Sequence, residues 1–181
     1  MKKQLHITSN ILMIAFILSG CSSKTYYAAN NKNHQRFDGW QLETANHLVE
    51  INDLETIIID LSELAKESAV KRKVYLASTE IIDRFENLKR DTKVEATLLR
   101  VTLSSSLSAE SDKYYHRLVN TSEEDFDERY KNMILVKLNE LIEKIADYQE
   151  EGHNDRIKTL GEKIEKVAKE HVAQMEGKEV S

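Results

Sequence analysis

Apolar residues recur at intervals of three and four through most of the chain beyond residue 40, the spacing that lines one face of an α-helix. A first helix is expected to start near Trp40–Thr44 and run to about Glu67. Its stripe is Ile51, Leu54, Ile58, Leu61 and Ala65, extended backward by Leu48 and Leu42. The β-branched run Ile57-Ile58-Ile59 would suit a strand, but the heptad spacing on both sides favours helix. After Ser68 and Ala69, a second helix takes Val70, Val74, Ala77, Ile81, Phe85 and Leu88 and reaches about Leu99. A third buries Phe126, Tyr130, Met133, Ile134, Leu138, Leu141, Ile145 and Tyr148, and a fourth shows Ile157, Leu160, Ile164, Val167 and His171, with Met175 beyond.

Between the second and third helices the period breaks from Arg100 to Leu107, which reads as a connection crossing one end of the molecule. Ser108 is placed to cap a short extra helix that turns Leu118 and Val119 inward. Thr121 and Glu124 have capping-box spacing, with Ser122 an equally good cap. Gly152 is expected to end the third helix in a left-handed conformation, and Asn154 to cap the fourth. Four long helices joined by short links predict an all-α, up-down four-helix bundle over residues 40–176, with residues 177–181 a frayed tail.

The N-terminal part has a different pattern. Lys2 and Lys3 precede the wholly apolar run Ile11–Leu18, and Ser19, Gly20 and Cys21 follow. Charge, an apolar run too short for a mature membrane span, and then small residues are the order of a secretory signal over residues 1–20. Leu18-Ser19-Gly20-Cys21 resembles the lipobox of a bacterial lipoprotein. That resemblance implies cleavage after Gly20, a diacylglyceryl thioether on Cys21 and acylation of the new amino group. Each buried methylene contributes about 0.8 kcal/mol, so several acyl chains on one residue anchor firmly. Ser22 in place of aspartate resembles outer-membrane sorting, which implies an envelope protein facing the periplasm. Residues 21–39, polar and Asn-rich, are expected to form a flexible tether with a typical reach of about 20 Å.

Composition narrows the chemistry. The chain has no proline, five glycines and 31% charged residues, a breaker-poor mixture that favours helix. Its formal charge is −5, and loss of residues 1–20 removes two lysines and no acid. Overall the protein therefore lacks the electrostatic footprint of a nucleic-acid binder, and charge alone does not draw it to anionic lipid. Cys21 is the one cysteine; once modified, it leaves no thiol for a disulfide, a zinc site or a nucleophile.

Particular residues carry a family likeness: Ser62-Glu63-Leu64-Ala65, Val70, Ala77, Ile81-Ile82-Asp83, Phe126-Asp127-Glu128-Arg129-Tyr130 and His171. Over roughly residues 44–176 the chain resembles a ferritin-like bacterial family of unknown function whose members are often described as outer-membrane or periplasmic proteins. The resemblance implies a ferritin-like bundle with inward polar groups. Where the family has histidines, this chain has Arg84 and Leu138 (with Lys137 beside it), and Asp60 is the acid nearest the family's glutamate position at Ile58. The implied metal set is thereby reduced to Asp83 and His171.

Other candidate chemistry is thin. A di-iron bundle uses Glu-x-x-His on one helix face, and Glu150-Glu151-Gly152-His153 straddles a helix end. Glu43 with His47, and Asp112 with His116, are one turn apart and suit a weak surface metal or a simple helix pair. Ser104-Ser105-Ser106 lacks the glycines of a nucleophile elbow. Tyr26, Tyr27, Phe37 and Trp40 suit a membrane interface or packing beneath the first helix. The expected role is a non-enzymatic, lipid-anchored bundle without cofactor, in contact with the membrane through Cys21 and with an envelope protein partner. The alternative is a metal-binding or redox bundle around Asp83 and His171, with His171 satisfied by Asp83 as the plainer account of that pair.

Overall fold

The computed structural model describes residues 25–177. Among them are six helices and no strand: α1 (Tyr26–Arg36), α2 (Gly39–Ser68), α3 (Arg72–Leu98), α4 (Ala109–Val119), α5 (Phe126–Glu151) and α6 (Asp155–Glu176). α2 packs against α1, α3, α4 and α5, while α6 pairs with α5 and closes back on α3. The result is a helical bundle with α2 at its centre.

That central place explains the isoleucine run. Ile57 and Ile58 are fully buried and Ile59 nearly so; a helix with neighbours on several sides can bury consecutive residues, so no strand is needed to hide them. The expected stripes of α5 and α6 form the facing walls. Phe85 and Leu88 from α3, and Leu118 from α4, complete the core.

Ser108 caps α4 as its sequence suggested, accepting from the Ser111 N–H, and Asn154 caps α6 by accepting from the Arg156 and Ile157 N–H groups. Gly152 ends α5 with extended backbone, φ −68° and ψ 151°, rather than in the left-handed region. A Cβ there would lie 2.6 Å from the Tyr148 ring, so glycine is required by close approach and not by φ. The capping box at Thr121–Glu124 does not form: α5 starts at Phe126, and the Thr121 hydroxyl donates back to the Arg117 carbonyl of α4. Val70 is 64% exposed because it lies in the link between α2 and α3, outside the helix expected to bury it, and Val119 is 45% exposed as the last residue of α4.

The largest departure lies in the expected tether. Residues 26–36 are helical, capped by the Thr25 hydroxyl accepting from the Ala28 N–H. Their inward face is only Ala29 and Asn33, one turn apart and both fully buried, so no apolar stripe announced it. Asn33 clamps α1 to the α3–α4 connection: its amide donates to the Thr102 carbonyl and its carbonyl accepts from the Thr102 N–H, each at 2.9 Å. The Arg36 guanidinium adds a bond to the Arg100 carbonyl.

Asn33→Ala removes both clamp bonds and strands two backbone groups, a cost of about 2–3 kcal/mol. We expect a lower urea midpoint and new proteolytic cleavage within 26–36. An unchanged midpoint with α1 still protected would show that other contacts hold it.

Candidate functional site

His171 and Asp83, the two candidates singled out by sequence, are not brought together. His171 is 1% exposed, whereas Asp83 points to solvent. The partner of His171 is Gln174 on its own helix, with Nδ1 to Oε1 at 3.2 Å. The Gln174 amide donates to Glu80 of α3 at 2.9 Å, so its oxygen accepts and the histidine proton lies on Nδ1. Burial, ahead of the nearby Arg84 charge, lowers the histidine pKa, although the Gln174 bond opposes the shift. His171 is thus a neutral core imidazole packed near Phe85. Arg84, where the resemblance implied a histidine, forms an ion pair with Glu170, and Leu138, where it implied another, is fully buried in the core. Among the described residues, no group of three or more His, Cys, Asp or Glu side chains converges as a metal site would require.

The helix pairs fare differently from one another. His116 lies 3.7 Å from Asp112 with both exposed. His47 instead turns inward and stacks on Tyr148, with ring centroids 4.2 Å apart, while Glu43 faces His153. Burial first, and the Lys144 charge second, bring His47 down to about 4. The family-like motif at the start of α5 is structural: the Asp127 carboxylate accepts from the Val70 and Lys71 N–H groups just before α3, and the Tyr130 hydroxyl meets Ser62 at 3.0 Å.

Sequence reading missed the buried acids of α2. Asp53 accepts from the Ser108 N–H (2.7 Å) and from the Ser108 and Ser111 hydroxyls, tying down the start of α4. Glu55 is fully buried, with one oxygen accepting from Thr92 at 3.0 Å and the other without a hydrogen-bond partner. Burial raises its pKa to about 8 in spite of the Thr92 bond and nearby Lys89. Neither residue lies on the apolar stripe, and only the second packed face of α2 reveals them.

Above this part of α2 lies an open cleft of about 1050 Å³, between α1, α3 and the α3–α4 connection. Lys32 and Arg36 enter it from α1, Lys89 and Lys93 from α3, and Arg100 from the connection. No carboxylate lines it. Among the described residues none of these five cations forms an ion pair, although lysines and arginines elsewhere pair with acids on α2, α3 and α5.

Cys21 and Gly20, the expected lipidation and cleavage positions, lie outside the described residues. A family model described as "Domain of unknown function (DUF4142)" matches residues 29–177, so the matched region begins within α1. No curated protein matches the chain, and no solved structure does.

The buried acid gives a pH test. With a folded pKa of about 8 against the usual 4.5, Glu55 binds a proton on folding between those values. Stability on its account therefore falls as pH rises through that window. Glu55→Gln should gain about 3 kcal/mol at pH 7, shrinking toward zero near pH 4.5, measured by urea unfolding at both pH values. A loss of stability at pH 7 would show that the ionised carboxylate is the form the fold holds. His47 works in the opposite sense: its depressed pKa gives stability present above pH 6.5 and lost as pH falls toward about 4.

Proposed function

Given that the chain belongs to the DUF4142 family, we propose that it is a lipid-anchored helical domain of the bacterial cell envelope that acts by binding rather than by catalysis. The observation that carries this reading is Leu18-Ser19-Gly20-Cys21 directly after the apolar run Ile11–Leu18. The packing of α2 on α3 and α5, with α6 closing on both α3 and α5, supports an up-down, ferritin-like four-helix arrangement carrying α1 and α4 as additions.

Several features fit an anchor at Cys21. No helix of the described residues is long and apolar enough to cross a membrane. The net charge is negative, so acyl chains and not charge would hold the protein at a bilayer. From Cys21 to Tyr26 the chain can span at most about 17 Å, which keeps α1 close to the headgroups. Tyr27 on α1 is 80% exposed, in the place where an interfacial aromatic would stand. Ser22 after the cysteine favours the periplasmic face of the outer membrane, where another envelope component would be the partner.

The buried polar groups favour binding over chemistry. Asp53, Asp127, Tyr130 and His171 are each engaged in joining one element to another or in filling the core. Asp127 and Tyr130 line a cleft beside Lys71 and Glu128, but their polar atoms are taken up by the Val70 and Lys71 N–H groups and by Ser62.

Radiolabelled palmitate supplied to cells making the full chain should be incorporated into wild type and not into Cys21→Ala, with the variant released from the membrane fraction. Equal labelling of the two proteins would end the anchor reading.

A further inference from the structure

The basic cleft is explained neither by the core nor by the anchor. The chain carries 31 acids against 26 lysines and arginines, yet five of those cations converge on one concavity with no acid in its lining. From α3, Lys89 and Lys93 are one turn apart and repel each other; burial and the Lys93 charge together lower the Lys89 pKa. The C-termini of α1 and α3 point their carbonyls toward this end of the molecule, and each contributes about half a negative charge. Five full charges outweigh that. The carboxylates whose charge reaches Lys89 are Asp60, Glu55 and Glu63, and none of them lines the cleft. Glu55, whose pKa burial raises to about 8, is mostly protonated at pH 7 and offsets little of that charge.

Arg100 adds an independent observation. It stands at φ 59°, in the left-handed region, where α3 ends. The Val101 N–H bonds the Ala96 carbonyl and the Arg100 N–H the Thr97 carbonyl, the pattern in which glycine is usual at this position. An arginine there is strained by about 1–2 kcal/mol, and its side chain lines the cleft. Strain held at the rim of a charged concavity points toward a ligand.

We propose that this cleft is a binding site for a phosphate-bearing anion, held by Lys32, Lys89, Lys93 and Arg100, with Arg36 bridging to the rim. Phosphate matches the arrangement better than a single carboxylate. It brings more than one negative charge and several acceptor oxygens to cations that approach from three elements, including the planar donors of arginine. The volume exceeds that of an inorganic ion and suits a phosphorylated head group or phosphate ester. This deepens the binding role proposed above and rests on it, but does not depend on acylation of Cys21.

The test uses the full chain in nonionic detergent micelles and in vesicles. Acetylation of each lysine is followed by mass spectrometry, with pyrophosphate as the free probe. Vesicles of phosphatidylcholine alone, or with phosphatidylglycerol in equal parts, provide the lipid-borne phosphate. Protection of Lys32 and Lys93, with Lys163 and Lys169 unchanged as references, is the expected result. Protection by pyrophosphate in micelles identifies a soluble phosphate ester as the source, and protection only in phosphatidylglycerol vesicles identifies a lipid head group. Lys93→Gln, an exposed position that leaves the core intact, should weaken pyrophosphate or vesicle protection of Lys32 about tenfold. Arg100→Gly should raise the melting temperature yet weaken protection by a similar factor, a split that a purely structural role would not give. No protection by either probe, equal protection in the Lys93→Gln protein, or protection by a polyglutamate peptide alone would overturn the proposal, the last in favour of an acidic protein surface. Failure here leaves the palmitate result untouched, so the two readings fall separately.

Discussion

The burial of α2 on nearly all sides is the constraint from which the rest of the molecule follows. A helix with partners on several faces must be apolar over more than one stripe, and Leu48, Ile51, Leu54, Ile57, Ile58 and Leu61 meet that demand. The same burial makes any polar residue on it expensive unless its hydrogen bonds are made. Asp53, Ser62 and Thr44 make theirs to α4 and its cap, to Tyr130 and to Tyr148 respectively. Each bond joins elements far apart in sequence, so the polar contacts fix which helices neighbour α2 while the aliphatic contacts supply the driving force.

Asn52 and Glu55 do not fully fit this pattern, each leaving one buried oxygen without a hydrogen bond. Glu55 has a single hydrogen bond and sits in a fully enclosed position, where the neutral acid is the cheaper form. It lies beneath Lys89 and Lys93, whose charges it feels. A protonated acid below and unpaired lysines above leave the cleft strongly positive near neutral pH. Its destabilising presence and the strained Arg100 fall on the same side of the molecule, where α1 is fastened by Asn33.

Much of the architecture was legible because helices are local. Caps and stripes depend on residues three and four apart, so α3, α5 and α6 appear in the sequence with nearly their observed bounds, and Ser108 and Asn154 cap as their positions suggested. α1 escaped because its two-residue inward face of Ala29 and Asn33 depends on Thr102, far along the chain. The Asp127 capping of α3 was visible as a motif but not as a function, since its donors come from another helix end.

Sequence alone determined the helical period, the charge balance, the single cysteine and the order of the N-terminal segment. Tertiary structure alone decided that His171 and Asp83 face different surroundings, that Glu55 is enclosed, and that five scattered cations share one cleft. The physical reason is range. A helical stripe is written within one turn, whereas burial on a second face and the convergence of charges exist only once distant helices have packed.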